Sequence, residues 1–105
     1  MIRLDEQVNV ELWVSLASLL RSYTAAHGLN RNKQATVELG EEHITVRHGD
    51  DWLHLQRDGA QVRWNRENGG AGVLEFTKAG RLKSEGDHEE EMDMVAEAWA
   101  RELMA

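Results

Sequence analysis

The chain has 105 residues, 41% of them apolar and 30% charged, with a formal charge of −7 and no cysteine. That is one domain's length with enough apolar content for a core, and it excludes a disulfide framework, a thiolate nucleophile and cysteine-ligated metal sites. The acidic balance opposes the phosphate contacts that nucleic-acid binding needs. A charged N-terminal stretch and the lack of any run near ~20 apolar residues make a cytoplasmic, non-membrane protein the expectation.

From Asp5 to His27 the apolar residues Val8, Leu12, Leu16, Leu19, Leu20, Tyr23 and Ala26 follow the spacing of an amphipathic helix, with Trp13 on the flank of the stripe. Asp5 suits its N-cap, and Gly28 its left-handed terminator, with Leu29 folding back on the last turn. Beyond the polar connector "LNRNKQ" the period changes from 3.6 to 2.

Four short alternating runs follow, "ATVEL" (35–39), "HITVR" (43–47), "WLHLQ" (52–56) and "QVRWN" (61–65). Two-residue turns at Gly40-Glu41, Gly49-Asp50 and Asp58-Gly59 would set Val37 against Ile44, Val46 against Leu53 and Leu55 against Val62. Opposed residues of antiparallel strands project to one face, and this register collects every apolar residue on the same side. "VLEFT" (73–77) extends the meander as a fifth strand, and "GRLKSEG" either adds a short sixth or leads into the last helix.

From Asp87 the period returns to 3.6, with Met92, Val95, Ala96, Trp99 and Leu103 as the apolar stripe. The predicted fold is α+β: helix, five- or six-stranded antiparallel meander, helix, in a two-layer sandwich with both helices on one face of the sheet.

The segment "DHEEEMDM" (87–94) is the densest cluster of ligand-type side chains. "HEEEM" lacks the second histidine of a zinc-protease helix. Asp87 with Glu90 instead fits an N-cap and capping box, favoured also by the helix dipole. Glu90, Asp93 and Glu97 would then lie within about 60° of one another on the outward side of the helix. They are the candidate metal ligands, able to hold a hard divalent cation weakly through oxygen.

The loop "NGGAG" (68–72) joins two antiparallel strands rather than a strand and a helix, so it reads as a hairpin loop and not a phosphate cradle. His43, His48 and His54 read as surface or hydrogen-bonded histidines, since only His43 and His54 share a face. No serine sits at a strand-to-helix turn of the kind that presents a hydrolase nucleophile.

The outer face of the sheet carries the candidate binding site. The predicted register opposes Arg47 to Trp52, His54 to Arg63, Arg63 to Glu75 and Glu38 to His43. An indole between arginines on a solvent face is either a cation–π pair that covers the sheet or the composition of an interface hot spot, and on the second reading Arg47, Trp52, His54 and Arg63 form the partner-binding set. The occupant would be a protein partner or a second copy of the chain. A small-molecule or enzymatic role through His54, Arg63 and Glu75 would require a concave pocket there.

The order helix, antiparallel meander, helix in a small acidic chain resembles the frataxin family. That resemblance implies both helices on one sheet face, weak iron binding by acids of the first helix and first strand, and recognition of a protein assembly by the outer face. Asp5, Glu6, Glu11, Glu38, Glu41 and Glu42 would stand for the acidic patch. The family's Gln-x-Trp is here the longer "QVRW", which turns Trp64 inward. Secretion chaperones place a helix in mid-sheet, where this chain has only "DG". The sequence thus points to a non-enzymatic interaction module, with a weak cation-binding, frataxin-like protein as the alternative.

Overall fold

Each alternating run becomes a strand whose odd or even positions all face one core. The computed structural model describes residues 4–27 and 35–104. Helix α1 (Leu4–His27) is followed by β1 (Thr36–Leu39), β2 (His43–His48), β3 (Asp51–Asp58), β4 (Gln61–Arg66), β5 (Ala71–Phe76), β6 (Arg81–Ser84), β7 (Glu89–Glu91) and α2 (Met92–Leu103). The strands form one antiparallel sheet in the order of the chain. The class is therefore α+β, with seven strands rather than five or six.

The extra strand lies where a helix start was expected. Glu90 pairs with Leu82, and Glu89 with Lys83, so "EEE" is an edge strand. Helix α2 begins at Met92, with Glu91 at its N-cap and no side-chain cap bond. The capping box of Asp87 and Glu90 is absent, because Asp87 sits in the β6–β7 turn with a left-handed φ of 60°. Asp5 lies inside α1 rather than ahead of it. The predicted terminator Gly28-Leu29 lies outside the described residues.

Two of the three predicted turns are displaced by two in register. Val46 opposes Leu53 as expected, but Val37 opposes Val46, Leu39 opposes Ile44, and Leu55 opposes Trp64. The cause is the position of the left-handed residue. In the β3–β4 turn Gly59 (φ 62°) is the first central residue, as Gly49 (φ 64°) is in β2–β3, so the turn is Gly59-Ala60. Gly40 is not left-handed, and its N–H donates to the His43 carbonyl at 2.8 Å across a wider loop. A slip of two leaves every side chain on its original face.

One hydrophobic core joins Trp13, Leu16, Ala17 and Leu20 of α1 and Met92, Ala96, Trp99 and Leu103 of α2 to Ile44, Val46, Leu53, Leu55, Val62, Phe76 and Leu82 of the sheet. Each large side chain so buried contributes about 1.5–3 kcal/mol. Trp13, expected on the flank of the α1 stripe, is at its centre and 1% exposed, whereas Val8 is 46% exposed. Two arginines occupy core-facing register positions near the strand ends. Arg57 of β3 meets Glu6 of α1, and Arg66 of β4 meets Glu102 of α2 at 2.6 Å and Asp51 at 3.5 Å. Among the described residues no helix is long and apolar enough to cross a membrane.

Candidate functional site

The face of the sheet turned away from the core is built by the alternate residues of the same strands. Over β2, β3 and β4 it forms a depression of about 540 Å³ lined by His43, Thr45, Arg47, Trp52, His54, Gln56 and Asn65. Of the predicted set, Arg47, Trp52 and His54 are brought together here. Arg47 stands opposite Trp52, as the β2–β3 turn requires.

Arg63 is on the same face but does not line the depression. The displaced β3–β4 turn sets it opposite Gln56 and brings Asn65 opposite His54. Separate two-residue displacements in the β4–β5 and β1–β2 hairpins place Glu75 opposite Gln61 instead of Arg63, and Glu38 opposite Thr45 instead of His43. His54, Arg63 and Glu75 are therefore not assembled in the register that their catalytic reading requires.

The depression is internally ordered. His54 and Thr45 meet through Nδ1 and Oγ1 at 3.0 Å. The His43 and His54 rings stack with centroids 6.2 Å apart at an interplanar angle of 21°. The Trp52 backbone N–H donates to the Asp51 carboxylate at 2.8 Å, and its indole is half-buried. Arg47 is exposed and only 4.0 Å from Glu38, so its guanidinium is largely free to bind a ligand. The lining holds one guanidinium, two imidazoles, two amides, a hydroxyl and an indole, and no carboxylate. Such a set donates hydrogen bonds to anionic groups and offers a flat apolar surface beside them.

His43, Thr45, Gln56 and Asn65 were not among the predicted site residues. The alternation that identified Arg47, Trp52 and His54 also marks these positions, two residues along the same strands or across one hairpin.

The predicted cation ligands are dispersed. Glu90 lies on β7, not on the helix with Asp93 and Glu97, and it bonds His88 at 3.1 Å. Glu97 holds His27 of α1 at 2.8 Å and Arg101 at 2.7 Å. Of the acids that resemblance assigned to iron, Glu6 is engaged by Arg57 and Glu38 stands near Arg47. Among the described residues no group of three histidine or acidic side chains is placed to hold a metal ion. His48, on the core side, bonds the Leu103 carbonyl at the end of α2 at 3.2 Å.

Comparison with protein-family models, with curated proteins and with solved structures finds no match to this chain.

Proposed function

We propose that the protein is a non-enzymatic cytoplasmic interaction module, a two-layer sandwich whose helices cover one sheet face while the other receives an acidic segment of a protein partner. The observation that carries this reading is the depression itself. In a chain of charge −7, Arg47, His43, His54 and Trp52 line one depression, with the Glu38 carboxylate at its edge 4.0 Å from Arg47. An exposed guanidinium in an otherwise acidic molecule favours an acidic partner over a basic one. The half-buried indole supplies the apolar anchor.

The test follows backbone amide shifts while a glutamate-rich peptide is added. Shifts centred on β2 and β3 that vanish in Trp52→Ala and Arg47→Glu support the proposal. Unchanged binding in both variants, by this measure and in partner pull-downs, would remove it. A concentration-dependent dimer dispersed by Trp52→Ala would instead identify a second copy as the occupant.

The rival reading, a weak divalent-cation or iron binder of frataxin-like type, draws less support because Glu6, Glu90 and Glu97 already have cationic or histidine partners. A ferrous iron titration that moves amides near these residues would restore it.

A further inference from the structure

On the other side of the molecule, α1 crosses the β1–β2 loop and leaves a groove of about 660 Å³ between them. We infer that this groove receives the apolar face of a basic amphipathic segment of a partner protein. The inference is independent of the outer-face reading.

Its walls are apolar and in water. Val10 and Val14 of α1 and Leu39 at the end of β1 are 40%, 45% and 43% exposed. They are three of the five large apolar side chains that stand exposed among the described residues, and all three line this one groove. Val10 and Val14 are one turn apart and share a helix face. An exposed apolar patch with a polar rim is the signature of an interaction surface.

The floor is Trp13. It is 1% exposed and its indole N–H is spent on the Gly40 carbonyl at 3.1 Å, so it closes the groove from below and leaves Val10, Val14 and Leu39 as the accessible apolar surface. Gly40 is itself fixed by its bond to His43, and the two walls are thereby held in place before any ligand arrives. Preorganisation of this kind reduces the entropic cost of binding.

Charge selects the occupant. Glu41 and Glu42 stand exposed on the rim. Among the described residues the single cation on the lining, Arg57, is 7% exposed and neutralised by Glu6. The mouth is therefore negative above an apolar floor, the complement of a helix with lysines or arginines flanking an i, i+3, i+4 apolar stripe. A second copy of this chain is a poor occupant, since a two-fold contact would bring the same acids face to face in a protein of charge −7.

The probe is a synthetic lysine–leucine peptide with its leucines on one helical face, added to the full chain. Two controls accompany it: the same composition scrambled, and the same pattern with glutamate for lysine. The expected result is amide shifts confined to Val10, Val14, Leu39, Gly40 and Glu41 with the first peptide alone. Binding should weaken about tenfold in Val10→Ser/Val14→Ser and again in Glu41→Lys/Glu42→Lys, with circular dichroism unchanged because these residues are exposed. Equal shifts with the scrambled peptide, no shifts at millimolar peptide, or undiminished affinity in the valine variants would overturn the inference. So would a self-association dispersed by Val10→Ser/Val14→Ser. None of these outcomes bears on Trp52, so the two surfaces fail or stand separately.

Discussion

The guanidinium of Arg57 lies 3.1 Å from the carboxylate of Glu6, and only the carboxylate is in water: the two side chains are 7% and 49% exposed. Arg57 also donates to the Gly59 carbonyl at 3.1 Å, while its Nε has no hydrogen-bond partner. Removing one partner of such a pair is not equivalent to removing the other. Glu6→Ala leaves a buried cation with a single carbonyl and should cost about 2 kcal/mol. Arg57→Met fills the same space without a charge, lets Glu6 rehydrate, and should cost less than about 1 kcal/mol. Urea unfolding of both variants measures the order, and the reverse order would show the guanidinium to be a net stabiliser.

Gly72 of β5 opposes Trp64 of β4, and a Cβ there would stand 2.7 Å from the indole nitrogen. Trp64 is in turn packed against Trp99 of α2, ring centroids 6.0 Å apart. Gly72→Ala should therefore displace Trp64 from the core contact and destabilise by about 2 kcal/mol. Tryptophan fluorescence and thermal unfolding report it. Gly40→Ala is the comparison, since it meets only the exposed His43 ring, which can swing away; its cost should be smaller.

Asp87 holds a left-handed conformation, φ 60°, in the β6–β7 turn, and its side chain is almost fully exposed, 3.8 Å from Lys83. Glycine adopts that conformation without strain, and an ion pair so exposed contributes little. Asp87→Gly is expected to raise stability by about 0.5 kcal/mol. A loss of stability would mean that the greater unfolded-state freedom of glycine and the lost Lys83 contact outweigh the relief of backbone strain.

His27 near the end of α1 and Glu97 of α2 meet at 2.8 Å with about a third of each side chain exposed. A double-mutant cycle with alanine at both positions should give a coupling of about 0.5–1 kcal/mol, reduced by salt. Glu97 also binds Arg101, so Arg101→Ala should leave most of the coupling in place. A coupling of zero would assign the inter-helix contact to apolar packing alone.

Strand identity and facing were legible because alternation depends only on side-chain parity, which survived the two-residue slips at the first, third and fourth hairpins. The slips themselves were not legible. The third follows from Gly59 taking the first central turn position with a left-handed φ, and the first from Gly40 not being left-handed, so that the loop widens. Strand β7 was hidden because Glu89, Glu90 and Glu91 neither alternate nor favour strands, and acids ahead of an apolar 3.6-residue pattern read as a helix start. At the candidate site, Arg47 and Trp52 were found through the one hairpin whose turn was placed correctly. Arg63 was misassigned through the hairpin that was not.

Every strand of this sheet pairs with its neighbour in the chain. Each hairpin can therefore close over a short loop, at little cost in chain entropy, and the meander can grow one strand at a time. The helices differ: the first and last elements touch, and the bond from His27 to Glu97 spans 70 positions. Helix docking, including Arg57 to Glu6 and His48 to Leu103, supplies the long closures in an otherwise local assembly. Helix packing should accordingly be the slow event in folding, and a chain cut within the β2–β3 turn, with its ends joined, should fold by a different order of steps to the same sheet.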